Sequence, residues 1–276
     1  MQIPLSMINW YYYANKNIQL KEMIIVISPA KSQNFEPIKT NYQLTQPIFK
    51  EQIIKLINTL KHYEVEEIEK LMKISPKLAE EVFAKHNNFN PNKCDNSNAK
   101  AAIFTFSGDV YKGLEADSLD NKTIEYAQNH LLMLSGLYGL IRPLDLIQAY
   151  RLEMGTNIKI DGKILHKYWQ DKITTQLNEY FSQQQNKTLI NLASNEYSQA
   201  IDKKSLAAKW LDIDFKENKA GAYKTIGIHA KKARGLMTRY ILENRIENVS
   251  DIKKFNVAGY QFNPDFSDEN LLCFTR

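Results

Sequence analysis

Glycine and proline together supply only 18 of the 276 residues, and there are only two cysteines. So little Gly and Pro excludes collagen-like and low-complexity chains, and a hydrophobic content of 43% excludes a mostly disordered one. Cys94 and Cys273 stand 179 positions apart, with neither a metal-type spacing nor a disulfide framework. No run of 18 apolar residues occurs and mean hydropathy is −0.44, so no membrane-spanning helix is expected. The five histidines (His62, His86, His130, His166 and His229) show no ligand spacing, and neither a metal nor a cofactor is expected. Walker loop, dinucleotide fingerprint and nucleophile elbow are absent too. What remains reads as a soluble protein of a reducing compartment, the cytoplasm, with chain enough for a sizeable core.

Residues 1–22 hold Trp10 and the run Tyr11-Tyr12-Tyr13, but no basic segment followed by an apolar one, so they are not a secretory signal. A second methionine, Met23, directly precedes the strand-like Ile24-Ile25-Val26-Ile27. The expectation is a flexible extension at 1–22, whose deletion leaves melting temperature and function unchanged, followed by one domain over 23–276. Helical patterns fall at 48–61, 64–73, 76–86, 123–134, 166–183 and 229–246. Strand-like runs fall at 24–28, 101–106, 187–193, 209–215, 222–228 and 271–274. The Asn-rich stretch His86 to Lys100 reads as a surface connection. Strands interleaved irregularly with helices predict a single α/β (mixed α+β) domain, its mixed sheet surrounded by helices.

Formal charge is +5, from 36 basic and 31 acidic residues. Between Tyr223 and Arg245 there are six basic residues (Lys224, Lys231, Lys232, Arg234, Arg239, Arg245) and one acid, Glu243, so this stretch holds the whole surplus. Concentrated charge attracts polyanions more strongly than a diffuse excess. On a helix over 229–246, Lys231, Lys232, Arg234, Arg239 and Arg245 fall within roughly 160° of arc, opposite Ala233, Leu236, Met237, Tyr240 and Ile241. Gly235 lies on the basic side, where a missing side chain would admit a phosphate backbone. A merely solvated face would gain from acids at i,i+4, and Glu243 is the only one, so phosphate binding is favoured over a solvated or membrane-surface helix.

A second signal lies at 68–82. Apolar residues at Ile68, Leu71 and Met72, then at Leu78, Ala79 and Val82, describe two helices joined by Lys73-Ile74-Ser75. Ser75 is a good N-cap and Pro76 a good first helical residue. Lys77 adds a cation to that helix N-terminus, an arrangement that favours an anion there. The pattern resembles the helix–hairpin–helix of DNA-repair proteins, with Ile74 as anchor and Ala79 as the small packing residue. Lys73 and Ser75 stand where that motif carries glycine, and an ordinary αα-hairpin with solvated lysines fits the pattern as well.

Five further segments set polar groups beside glycines or strand ends, typical places for a ligand site. Ser28 and Lys31 follow the first strand and could form a Ser-Lys pair. Asp109 lies in 106–111, Arg142 and Asp145 in 134–145, Arg151 and Glu153 in 150–155, and Glu196 in 191–197. The carboxylates Asp109, Glu153 and Glu196 are candidate acids and bases, and with Asp145 could surround a hard cation. Pairing with Arg142 and Arg151 to order loops is the reading favoured for them.

Taken in order, VISPAK, FSGDVY, LSGLYGLIRPLD, YRLEMG, NLASNEY and AKKARGLM resemble the YaaA family of bacterial peroxide-stress-resistance proteins, from Met23 to the C-terminus. The resemblance implies a cytoplasmic protein that keeps intracellular free iron low during hydrogen peroxide stress. It also implies one mixed α/β fold, a positively charged cleft, a helix–hairpin–helix and binding to double-stranded DNA. The residues expected at phosphates are Ser28, Lys31, Lys73, Ser75, Lys77, Arg142, Arg151, Lys231, Lys232, Arg234 and Arg239. No catalysis and a monomer are expected. An enzyme acting on a nucleotide or damaged base, and direct iron binding, stay open as alternatives.

Overall fold

Met23-Ile24-Ile25-Val26-Ile27 is an unbroken apolar run, and such a strand needs cover on both faces. In the computed structural model, which describes residues 23–38, 41–184 and 187–276, it is a fully buried inner strand of the main sheet. The expected extension at 1–22 lies outside the described residues. In chain order the strands are β1 (Met23–Ile27), β2 (Ser32–Gln33), β3 (Lys100–Ala101), β4 (Phe106–Ser107), β5 (Leu131–Ser135), β6 (Gly139–Ile141), β7 (Leu146–Ile147), β8 (Lys159–Ile160), β9 (Lys163–Ile164), β10 (Thr188–Leu192), β11 (Lys209–Lys219), β12 (Ala222–Lys224), β13 (Gln261–Phe262) and β14 (Leu271–Thr275). The α-helices are α1 (Lys50–Leu60), α2 (Val65–Met72), α3 (Pro76–Asn88), α4 (Ala102–Thr105), α5 (Asp109–Leu114), α6 (Asn121–His130), α7 (Leu165–Phe181), α8 (Asn195–Ser198), α9 (Gly227–Glu243) and α10 (Val249–Ile252).

The main sheet runs β13-β14-β11-β10-β1-β5-β6, with β12 paired to β11. From β14 through β5 the neighbours are parallel, while β6, β12 and β13 are added antiparallel. This is the expected mixed α/β architecture. Helix α7 buries Trp169, Ile173, Leu177 and Phe181, and α6 buries Ile124 and Ala127, in the same core as the strands.

Several boundaries differ from expectation. Residues 101–106 were expected as a strand, yet Ala102–Thr105 form one buried helical turn, with Ala102 N–H donating to the Asp145 carbonyl and Thr105 Oγ1 to the Ala101 carbonyl. A short run buried on every side has no polar positions to reveal its period. The pattern at 123–134 breaks at His130, because Leu131-Leu132-Met133-Leu134 is a buried strand of the parallel sheet. Strand 222–228 stops at Lys224, and a helix starts at Gly227. His86 is not in a surface connection: it is wholly buried on α3.

Helices α2 and α3 form an αα-hairpin with a small core of its own, Ile68, Ala79 and Val82, against which Met72, Ile74 and Leu78 pack. Glu64 and Glu67 close a capping box at the start of α2, and Lys73 ends it in the left-handed conformation (φ 52°). Ser75 Oγ accepts from Leu78 N–H at 3.4 Å, capping α3.

Candidate functional site

The parallel strands create one position where chain connections diverge. From β1 the chain passes to β5 on one side, whereas from β10 it continues to β11 on the other. At such a switch point the loops after two neighbouring strands part, and the carboxyl ends of the strands open into a crevice. Ser28 directly follows β1 and Ser194 lies just past β10. Ser194 N–H donates to Ser28 Oγ at 2.9 Å, and the two hydroxyls are 3.2 Å apart. Ser28 is thus occupied in tying the two strand ends together.

Other loops converge on this end of the sheet. Tyr111, in the second turn-half of α5, donates its hydroxyl to the Ser28 carbonyl at 3.1 Å. Tyr150 N–H donates to Gln33 Oε1 at 3.1 Å, and the Tyr150 hydroxyl lies 2.7 Å from Ser135 Oγ. Gly155 N–H donates to Glu196 Oε1 at 3.1 Å. From α3, buried His86 donates Nε2–H to the Arg151 carbonyl at 3.0 Å. Burial pushes the His86 pKa down to about 4, because a charged imidazole would lie there with Nδ1 lacking any acceptor. Five of the six signature segments therefore meet at one place.

The meeting point holds a small, open pocket of about 10 Å³, room for about one water, whose walls include Lys31, Gln33, Arg151, Glu153 and Tyr197. Lys31 Nζ and Arg151 Nη2 converge on a single oxygen, Glu153 Oε1, at 3.3 and 2.8 Å. Lys31 is 65% exposed, whereas the Arg151 and Glu153 side chains are 13% and 14% exposed. Arg151 Nε is buried without a partner. Burial raises the Tyr197 pKa strongly, with Tyr150, Glu196 and Glu153 adding to it, so the phenol stays protonated.

The remaining expected residues fall into separate environments. Arg142 is buried, its Nη2 3.1 Å from Asp145 Oδ1, and Asp145 also accepts from Thr45 Oγ1 at 2.6 Å. That pair orders the turn at 142–145 and takes Arg142 out of the candidate phosphate set. Asp109 pairs with Lys112 at 3.6 Å. Among the described residues no group of three or more His, Cys, Asp or Glu gathers to hold a metal, so Asp109, Asp145, Glu153 and Glu196 do not surround a common cation.

The basic helix α9 divides along its length. Lys231 and Lys232 are exposed, and neither meets a carboxylate at ion-pair distance among the described residues. Arg234 is turned partly inward, where burial lowers its pKa against the opposing pull of Asp214 and Asp212. Arg239 is fully engaged: Nη1 donates to the Leu114 and Glu115 carbonyls and to Ser118 Oγ at 2.7 Å, and Nη2 lies 2.8 Å from Glu243. It fastens the end of α5 and leaves the phosphate set. Gly235 corrects the expectation most sharply. It is buried, and a Cβ there would stand 1.8 Å from the Val110 carbonyl oxygen; one on Gly113 would stand 2.2 Å from that of Lys232. The two glycines let α5 and α9 cross almost backbone to backbone, so Gly235 admits a helix and no phosphate. Thr238 and Leu242, on the same side, are buried with it.

Over residues 23–266 the chain matches the family model described as peroxide stress protein YaaA. It belongs to that family. Curated relatives carry the name UPF0246 protein. One from Francisella tularensis subsp. novicida (strain U112) is 97% identical over 254 residues, which is 92% of this chain and all of the relative. One from Francisella tularensis subsp. holarctica (strain OSU18) is 96% identical over the same span, and one from Francisella philomiragia subsp. philomiragia is 85% identical. The YaaA membership assigns the chain to a peroxide stress family. No helix among the described residues is long and apolar enough to cross a membrane.

The residues that sequence reasoning passed over are Gln33, Tyr150, Tyr197 and His86. Tyr150 and Tyr197 lie inside the YaaA-like segments, a signal available in the sequence. His86 and Gln33 carried none, since their roles come from bonds to residues 65 and 117 positions away.

Proposed function

We propose that this YaaA-family chain protects the cytoplasm during peroxide stress by keeping free iron low, and that it binds double-stranded DNA without sequence choice. The contacts are assigned to the α2–α3 turn, acting as a helix–hairpin–helix, and to the outer face of α9. The observation that carries the reading is that Lys73, Lys77, Lys231 and Lys232 are all exposed and lack a carboxylate partner among the described residues. A lysine left unpaired keeps its full charge for an external anion. Lys77 also sits in the first turn of a 13-residue helix with no acid there, beside free backbone N–H groups. Ser75 spends its hydroxyl on the cap and contributes at most its backbone.

Phosphate contacts of this kind hold the backbone and carry no sequence information. Four contacts predict a logarithmic salt slope of about −3.6, hence an affinity loss of roughly 10² between 50 and 200 mM salt. Fluorescence anisotropy of a labelled duplex measures this. The reading is overturned if affinity is flat in salt, or if it survives the combined Lys73→Ala, Lys77→Ala, Lys231→Ala and Lys232→Ala variant. Whole-cell measurement of chelatable iron after peroxide treatment, with native and quadruple-variant protein, then shows whether DNA contact is the route to iron control.

A further inference from the structure

We propose that Ile228, in the first turn of α9, is an apolar wedge that enters the DNA base stack while Lys231 and Lys232 hold neighbouring phosphates. This rests on the DNA reading above and adds to it a side chain that meets the bases.

Among the described residues three large apolar side chains are exposed, and they are not alike. Ile164 and Phe266 are 36% and 37% exposed, and Phe266 is flanked by the Tyr223 ring at 5.2 Å and by Lys216 Nζ at 4.6 Å. Ile228 is 61% exposed. The other apolar residues of α9 turn inward: Ala230, Ala233, Met237, Ile241 and Leu242 are buried, and Leu236 and Tyr240 pack against the same core. Positions i, i+3 and i+4 of a helix are surface neighbours, so Lys231 and Lys232 stand beside Ile228. Both are exposed. The approach is open, since a carbon added at Gly227 would meet nothing within 4 Å. Two carboxylates touch this segment, and each is engaged. Glu217 accepts from the Tyr260 hydroxyl and from Arg276 Nε at 2.9 Å, and lies 3.2 Å from His229 Nδ1. Asp214 accepts from Phe215 N–H at 2.9 Å and more weakly from Thr225 Oγ1 at 3.4 Å.

An exposed apolar side chain beside two unpaired cations fits a partner that is anionic outside and apolar within. A stacked duplex and an anionic lipid surface both answer that description. Binding to lipid scales with the apolar area of a whole helix face, and α9 has given that face to the core. A base step takes a single wedge. Apolar side chains inserted between base pairs unstack and kink the duplex, and the bent duplex then wraps more protein surface.

The test uses the full chain and duplexes carrying 2-aminopurine at several spaced steps, whose fluorescence rises on unstacking. Saturating native protein should raise it, and so should Ile228→Leu. Ile228→Ala should abolish the rise and weaken duplex binding, read by anisotropy, about tenfold through lost apolar burial. Its salt slope should not change, because no charge is removed. Its Tm should not change either, because the side chain is exposed. The wedge is overturned, with the DNA reading left standing, if duplex binding keeps its salt slope while 2-aminopurine stays dark. It is equally overturned if Ile228→Ala keeps native affinity and signal. Phosphatidylglycerol vesicles are the second probe. Vesicle binding that Ile228→Ala abolishes, with duplex affinity intact, would give the tip of α9 to a membrane. Absence of any duplex binding would overturn both readings together.

Discussion

Replacing Gly235 with alanine puts a methyl group 1.8 Å from the Val110 carbonyl oxygen and 2.8 Å from Leu114 N. Both obstacles are backbone, so no rotamer change relieves the clash, and α5 and α9 must move apart by more than an ångström. Two effects oppose each other. Alanine is favoured over glycine inside a helix by about 0.8–1.0 kcal/mol. Forcing extra volume into a packed contact costs about 1–3 kcal/mol, with the upper end appropriate to rigid backbone. The net expectation is a loss of about 2 kcal/mol, read as a fall in Tm of roughly 4–8 °C for a domain of this size. Gly227→Ala is the matched control, since it lies in the same helix with nothing within 4 Å of the added carbon. It should be neutral or slightly stabilising. Differential scanning calorimetry of both variants decides the matter. An unchanged or raised Tm for Gly235→Ala would refute the close crossing. A loss of duplex affinity without loss of Tm would restore the phosphate-approach reading of this glycine.

The acid limb of stability offers a second check. His86 has a pKa near 4 in the folded protein against about 6.5 in the unfolded chain, so below pH 6.5 the unfolded chain binds the extra proton. Stability is therefore lost as pH falls from 6.5 towards 4, by about 3 kcal/mol from this group. Urea unfolding of His86→Gln across that range should show a shallower decline, and an identical decline would refute the burial argument. At the hairpin, Lys73 holds φ 52°, which an L residue adopts at some cost and glycine does not. Lys73→Gly should raise stability by about 0.5–1 kcal/mol while removing about 0.9 from the DNA salt slope. A destabilised variant would show that the lysine side chain, and not the turn, holds the hairpin.

Four of the five parallel strands and the long helices were legible because their cause is local, whereas β5 was read as the end of a helix. Ile24 to Ile27 is an apolar run that only a doubly covered strand explains, and Ser75-Pro76 marks a helix start wherever it folds. Failures came where the cause is distant. Ala102 to Thr105 takes a helical turn because Asp145 and Pro143 carbonyls, some forty residues away, accept its N–H groups. The pocket was legible in pieces, as Lys31, Arg151 and Glu153, but its position follows from strand order, which periodicity does not specify.

The same limit explains the basic helix. A helical wheel sorts residues by angle and treats every cation on an arc alike, yet on α9 the arginines and lysines divide. Arg239 satisfies two carbonyls, a hydroxyl and a carboxylate at once, which its planar, multi-donor head allows at a half-buried junction. Arg234 is drawn towards Asp212 and Asp214 at the sheet. Lys231 and Lys232, with compact and strongly hydrated ammonium groups, stay in solvent. Of the six cations behind the surplus in the sequence, Lys224, Lys231, Lys232 and Arg245 stay exposed, Arg234 turns partly inward, and Arg239 alone becomes a structural cation that holds the end of α5. Charge at this surface is available to a partner only where no internal acceptor competes for it, so the lysines and not the arginines of α9 are where substitution should reach DNA without reaching Tm.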